Sequence, residues 1–251
     1  MKYYVTADIH GYYSRLRFAL DRAGYFSDTS PHKLVILGDL FDRGHEAKEM
    51  QDFVLDLMSR DEIILIRGNH EDLFVEMITE DDGLPYSHHV SNGTYDTALQ
   101  LTGYDPVMAQ LNNYDFADAA KTTPLFRKII PAMLDYYETS KYVFVHGWIP
   151  CIRERNGDFS AISDWRTAGK QEWMKARWYN GMAAAAQGVT EEGKTILCGH
   201  WHTSFGHSHL DGKGSEFGHD ADFSPYYGPG IIALDACTAH SGIVNVIVLD
   251  D

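Results

Sequence analysis

Leu37-Gly38-Asp39-Leu40-Phe41-Asp42-Arg43-Gly44 is the stretch on which the reading of this chain turns. It follows Lys33-Leu34-Val35-Ile36, an apolar run that reads as a buried strand. It precedes Met50, Phe53, Val54, Leu57 and Met58, which have the spacing of an amphipathic helix. Two carboxylates and an arginine therefore stand at the carboxyl end of a strand, where open α/β sheets hold their ligands. A glycine on each side lets the backbone turn tightly and come close to a ligand. Asp39 and Asp42 on one short turn repel each other unless something positive lies beside them, and a metal ion and a histidine are the candidates. Taken alone, Asp-Arg-Gly after a strand is more often an ordinary solvated turn. Its company decides the matter.

Working outward, the same arrangement recurs. Tyr3–Ala7 reads as a strand ending in Asp8-Ile9-His10-Gly11, and a helix is predicted over 12–24 with Leu16, Leu20 and Ala23 inward and Gly24 as its stop. Ile63–Ile66 is a further strand, delivering Arg67-Gly68-Asn69-His70-Glu71 ahead of a helix that carries Leu73, Phe74, Met77 and Ile78. Asp8 to Asp39 is 31 positions and Asp39 to Asn69 is 30, both the length of a βαβ unit, so three polar clusters share one edge of a parallel sheet. Tyr142–Val145 ends in His146-Gly147-Trp148, and Thr195–Cys198 ends in Gly199-His200-Trp201-His202. Two last strands, Ile231–Leu234 and Ile243–Leu249, are expected to lie antiparallel across a Ser241-Gly242 turn. Between these, about 81–140 reads as a mainly helical insertion over the sheet edge. Turns are expected there at Asp81-Asp82-Gly83 and Ser91-Asn92-Gly93, and a kink at Pro131. Residues 203–228 lack periodicity and read as a long loop.

A chain of 251 residues suits one α/β domain spanning 1–251. Its 36 acidic against 21 basic residues give a net charge of -15, which disfavours binding to nucleic acid or an anionic membrane. Bound divalent cations offset such charge locally and leave a phosphorylated substrate admissible. Cys151, Cys198 and Cys237 form no Cys-x-x-Cys pair and read as reduced core residues. Neither a signal-peptide pattern nor a long apolar span is seen, so the cytoplasm is the expected compartment.

Five strand ends thus carry Asp8 with His10, Asp39 with Asp42, Asn69 with His70, His146, and His200 with His202. Mixed Asp, Asn and His donors suit Mn²⁺, Fe or Zn²⁺, whereas an all-oxygen set suits Ca²⁺ or Mg²⁺. Two ions sharing one carboxylate, about 3.5–4 Å apart, is the natural arrangement. Any one of the chain's 13 histidines is ordinarily structural; five clusters all at strand ends are not.

Asp-x-His-Gly, Gly-Asp-x-x-Asp-Arg-Gly, Arg-Gly-Asn-His-Glu, Val-His-Gly and Gly-His, in this order from residue 8 to residue 202, resemble the calcineurin-like metallophosphoesterases. The likeness is to their phosphoprotein (serine/threonine) phosphatase branch. It implies an α/β fold, a layered β-sandwich flanked by helices and carrying helical insertions. It also implies two divalent cations, Mn²⁺ first among the choices. One would be held by Asp8, His10 and Asp39, the other by Asp39, Asn69, His146 and His200, with Asp39 bridging. His70 matches the general acid, Asp42 its orienting carboxylate and Arg43 a phosphate clamp. The bottom-up chemistry agrees: two ions acidify a shared water, an arginine fork neutralises phosphoryl oxygens, and an imidazole protonates the leaving oxygen.

Three features depart from that branch. His202 makes Gly-His-x-His, the wider metallophosphoesterase form, and would complete the first metal. Trp148 stands where many relatives have a second glycine and would narrow the mouth. The second phosphate-binding arginine is not marked by a motif, and Arg177 is preferred to Arg166. The expected activity is hydrolysis of phosphomonoesters, on the pattern of a serine/threonine protein phosphatase, by attack of metal-bound hydroxide. The alternatives are a dinucleoside polyphosphate hydrolase and a non-catalytic scaffold of the same fold. Elsewhere Trp165, Trp173 and Trp178 read as core anchors, His207, His209 and His219 as solvated loop residues, and Asp235 as structural.

Overall fold

Alternation along short apolar strands sets the layering. In β1 (Lys2–Thr6) Tyr3 and Val5 face one way and Tyr4 the other, yet all are buried, so the strand is covered on both sides. The structure, a computed structural model, describes residues 1–79 and 87–251, and the expected turn at Asp81-Asp82-Gly83 lies outside them. After β1 come α1 (Tyr13–Arg22), β2 (His32–Ile36), α2 (Ala47–Ser59), β3 (Ile63–Leu65) and α3 (Asn69–Thr79). Five short helices follow: α4 (Ser87–Ser91), α5 (Thr94–Thr102), α6 (Pro106–Leu111), α7 (Asn113–Thr122) and α8 (Ile130–Ala132). Then come β4 (Tyr137–Glu138), β5 (Tyr142–Phe144), β6 (Ile152–Arg153), β7 (Phe159–Ser160), α9 (Lys170–Ala176), α10 (Gly181–Ala186) and β8 (Thr195–Cys198). The chain ends with α11 (Thr203–Phe205), β9 (Tyr226–Gly228), β10 (Ile231–Ala233), α12 (Thr238–Ser241) and β11 (Ile247–Asp250).

Two sheets form the centre. One has the order β11-β1-β2-β3, with β1, β2 and β3 parallel and β11 antiparallel to β1. The other has the order β4-β5-β8-β10-β9, with β5, β8 and β10 parallel. Their facing sides meet through Tyr3, Val5, Val35, Leu37, Ile64, Phe144, Leu197 and Leu234. Tyr4, Leu34, Ile36, Leu16, Leu20, Met50 and Phe74 fill the layer between the first sheet and its helices. Val143, Ile196, Ile231, Trp148, Trp165 and Trp173 do so on the second. The result is the expected helix-flanked β-sandwich.

The final pair of strands is not the expected hairpin. β10 joins the second sheet and β11 crosses to the first, with α12 turning the chain between them. The described part of 81–140 holds α4–α8 and β4, and Gly93, in the left-handed region at φ 85°, makes the expected break between α4 and α5. Near Pro131 the helix loosens into a π-type turn at Leu125–Ile129 before α8 ends. Residues 203–228 hold α11, a second π-type turn at Gly206–Leu210 and β9, so the stretch is more ordered than its sequence suggests. Among the described residues no helix is long and apolar enough to cross a membrane.

Candidate metal centre

Six parallel strands, three from each sheet, point their carboxyl ends at one place. The turns that leave them are strained: Asp8, His10, Asp39, Asp42, Arg43 and His200 all have φ between 50° and 71°. Non-glycine residues there cost about 1 kcal/mol or more each and persist only where the surroundings hold them. The surroundings do. Buried Glu71 accepts the N–H groups of Leu40 (3.0 Å), Asp39 (3.1 Å) and Gly68 (2.8 Å), tying the end of β2 to the end of β3. A Cβ on Gly68 would overlap Asp39 Oδ1, and one on Gly199 would overlap Asp8 Oδ2, so glycine is required at both.

Asp39 is the hub. Its Oδ2 lies 3.9 Å from the Nε2 atoms of His10 and of His70, and its Oδ1 lies 3.4 Å from His146 Nε2. His10, Asp39 and His70 bring one donor atom each within 4.8 Å of one another, and so do Asp39, His146 and His200. Burial alone would raise the Asp39 pKa, but the imidazoles of His146, His70, His10 and His200 hold it well below the usual range.

The histidines divide by what holds their far nitrogen. His10 Nδ1–H donates to the Phe41 carbonyl (3.1 Å), and His146 Nδ1–H donates to the Leu37 carbonyl (2.6 Å). At the third, His200, the Trp178 carbonyl works against burial and raises the pKa. Burial lowers the pKa of all three, His200 to about 3, so each presents one ring lone pair, which at His10 faces Arg43 Nη1 at 2.9 Å. A backbone carbonyl on the second nitrogen is how metal-binding imidazoles are commonly oriented. At His146 the lone pair of Nε2 meets Asn69 Oδ1 at 2.8 Å, two acceptors face to face, which a shared cation resolves. The donor set fits a pair of divalent cations.

His70 is held differently. Its Nδ1–H donates to the Asp42 carboxylate at 2.7 Å. Burial lowers its pKa, but Asp39 and Asp42 outweigh burial and leave it above the ordinary imidazole value. Asp42 is itself clamped from α5: Thr94 Oγ1 donates to Oδ2 and Thr97 Oγ1 to Oδ1, each at 2.8 Å, while Asp42 N–H donates to Thr97 Oγ1 at 2.9 Å. Arg43 Nη1 lies 2.9 Å from His10 Nε2 and Nη2 lies 3.1 Å from His70 Nε2, so its fork spans the two imidazoles.

Asp8 lies in neither donor group. It is buried beside them, its Oδ1 and Oδ2 accepting the His200 amide N–H at 3.0 and 2.9 Å. Burial, Asp235 and Asp39 raise its pKa, and burial raises that of Asp235 to about 7. Asp235 therefore belongs to the electrostatics of the site as well as to its turn, where it accepts the Cys237 N–H at 2.7 Å. Among the described residues a third donor group, Glu76 with His88 and His89, stands on α3 and α4.

Two expected participants are drawn elsewhere. His202 Nε2 is 2.7 Å from Glu216 Oε1, and its ring lies against Trp201 and Phe217. Arg177 is buried with Nη1 on Asp72 Oδ2 (2.5 Å) and Nη2 on Asp135 Oδ1, so acidic partners already fill its fork. Arg166 pairs with Glu138 and Glu191. Trp148 does not narrow a mouth: it is buried, its Nε1–H on the Val189 carbonyl at 3.0 Å. Trp165 and Trp173 are core anchors, but Trp178 is 47% exposed. Thr94, Thr97 and the holding role of Glu71 escaped the sequence reading. Glu71 at least was visible inside a quoted motif.

The family model of the calcineurin-like phosphoesterases matches residues 1–231. No curated protein sequence matches the chain. Among solved structures, one assigned provisionally as a diadenosine tetraphosphatase is 15% identical, with 99% of this chain and 89% of that one covered and a TM-score of 0.52. A point mutant of a cold-active protein tyrosine phosphatase is 17% identical over 100% of this chain and 75% of that one, with a TM-score of 0.56. The cold-active protein-tyrosine phosphatase of a psychrophilic Shewanella sp. is 16% identical over the same shares, with a TM-score of 0.52. At these identities the likeness is one of fold.

Proposed function

The chain belongs to the calcineurin-like phosphoesterase family, whose members are metal-dependent phosphoric ester hydrolases with a binuclear divalent centre, and we propose that it hydrolyses phosphomonoesters on the pattern of a protein phosphatase. One observation carries the reading. His10 and His146 rest on backbone carbonyls and, with His200, are kept neutral by burial, whereas a fourth imidazole, His70, rests on a carboxylate that favours its proton. That is the division between ligands and an acid. We assign Asp39 as the bridge, with Asp8 and His10 on one side and Asn69, His146 and His200 on the other; Mn²⁺ is the ion proposed first, with Fe or Zn²⁺ as substitutes. His202, bonded to Glu216, stays outside the set.

When bound, the two cations neutralise phosphoryl oxygens and make a water acidic enough to attack at neutral pH. The chain's own residues do the rest. Arg43 forks onto the phosphoryl oxygens from beside His10 and His70. His70 Nε2 gives its proton to the ester oxygen as the P–O bond breaks, and Asp42 holds the Nδ1–H that keeps the ring in line. Thr94 and Thr97 keep the Asp42 carboxylate from turning.

Monoesters are favoured over dinucleoside polyphosphates because several phosphates need several cationic forks. Arg177 is taken by Asp72 and Asp135 and Arg67 by Asp72, which leaves Arg43 at the centre. A scaffold reading is disfavoured by the intact His70–Asp42 pair. The test is a panel on Mn²⁺-loaded protein: p-nitrophenyl phosphate, its bis-ester, phosphopeptides and a dinucleoside tetraphosphate. Turnover of monoesters well above the other two classes is expected. Preference for the bis-ester or the tetraphosphate would overturn the substrate class.

A further inference from the structure

Of the five tryptophans, Trp178 alone is exposed, at 47%, between Arg177 and Tyr179, which are both buried. Its ring lies edge-on to His200 at 5.7 Å between centroids, and among the described residues His200 is its only ring partner. The indole thus stands beside a proposed ligand of the Asp39 group and is open to solvent.

The backbone that presents it is fixed. Trp148 N–H donates to the Ala176 carbonyl at 3.0 Å, and Trp178 N–H donates to the Lys175 carbonyl at 3.0 Å. A Cβ on Gly147, next to His146, would meet the carbonyl oxygens of Ala176 and Arg177 at 2.5 and 2.6 Å, so this turn is seated directly on the strand end. Arg177 anchors it from below through Asp72 and Asp135. An indole held on rigid backbone and left open has lost its freedom before any ligand arrives, which favours stacking.

We propose that Trp178 is a specificity residue, a platform that stacks on an aromatic ring carried directly by the ester oxygen, and that the preferred substrates are aryl phosphates such as phosphotyrosine. The inference rests on the phosphomonoesterase reading and moves its protein-substrate form from phosphoserine toward phosphotyrosine. Reach argues for the aryl ester: the indole is one imidazole away from the Asp39 donor group. A nucleobase is set off from its 5′-phosphate by a ribose and would overshoot.

The test compares the parent, Trp178→Leu and Trp178→Phe, each loaded with Mn²⁺. The ratio of kcat/KM for phenyl phosphate to that for glycerol 2-phosphate should fall about threefold to tenfold in the leucine variant and be largely kept in the phenylalanine variant. Calorimetric binding of phenylphosphonate against methylphosphonate should show the same change without any turnover. Equal ratios and equal phosphonate preferences in the parent and Trp178→Leu would overturn the platform. A leucine variant impaired on AMP but not on phenyl phosphate would overturn the aryl assignment. If the parent prefers phenylphosphonate through Trp178 yet turns over neither monoester, the platform stands and the phosphomonoesterase reading fails.

Discussion

The strand-end turns and the helices laid over them meet at one carboxylate, Asp42, and reach it by different means. The turns are contiguous in sequence, buried and bent into the left-handed region, and Glu71 pins them through backbone N–H groups. The cover touches Asp42 through two threonine hydroxyls on α5, and Gly93 packs against Arg43 so closely that a Cβ would overlap its amide nitrogen. In the proposed reaction the first region supplies the reacting groups. The second adds none, but it holds the carboxylate that orients His70. Rigidity at the centre thus depends on a layer outside the sandwich.

Breaking the turns should cost most. His70→Asn is expected to lower kcat by roughly 10²–10⁴-fold while two metal ions remain bound, with a smaller loss for substrates whose leaving group needs little protonation. Metal content by atomic spectroscopy alongside a leaving-group series checks this, and loss of an ion would move His70 into the ligand set. Breaking the cover should cost less. Thr94→Val with Thr97→Val is expected to lower kcat about tenfold with KM nearly unchanged, as when a partner behind an active-site imidazole is removed, and Thr→Ser at both should restore most of the rate. A rate equal to the parent's would reduce the cover to a lid without influence on His70. Smallest of all is His202→Ala. Because Glu216 takes its Nε2, Mn²⁺ titrations of the variant and the parent, read by activity, should superimpose. A shift to higher Mn²⁺ would return His202 to the metal.

The same contrast explains what was legible in the sequence. Each strand end combines an apolar run with a polar motif a few residues long, so the parallel strands and the residues gathered round Asp39 could be read locally, whereas the two-sheet sandwich came from the family resemblance. Thr94 and Thr97 act on a carboxylate 52 and 55 positions away, and nothing in Thr-Tyr-Asp-Thr marks that. Arg177 reads as a free fork until folding brings Asp72 from 105 positions away. The exposure of Trp178 is equally invisible, since apolar residues default to the core. β10 and β11 read as a hairpin because a short Gly-containing link suggests one, whereas the choice between two sheets is made by packing.

The most direct test of the centre is a Mn²⁺ titration of chelator-stripped protein, with bound metal and hydrolysis of p-nitrophenyl phosphate followed on the same samples. The account predicts no turnover at the start, two ions per chain at saturation, and a rate that appears as the pair around Asp39 fills. Full turnover by the stripped protein, or saturation at a single ion with full rate, would contradict it.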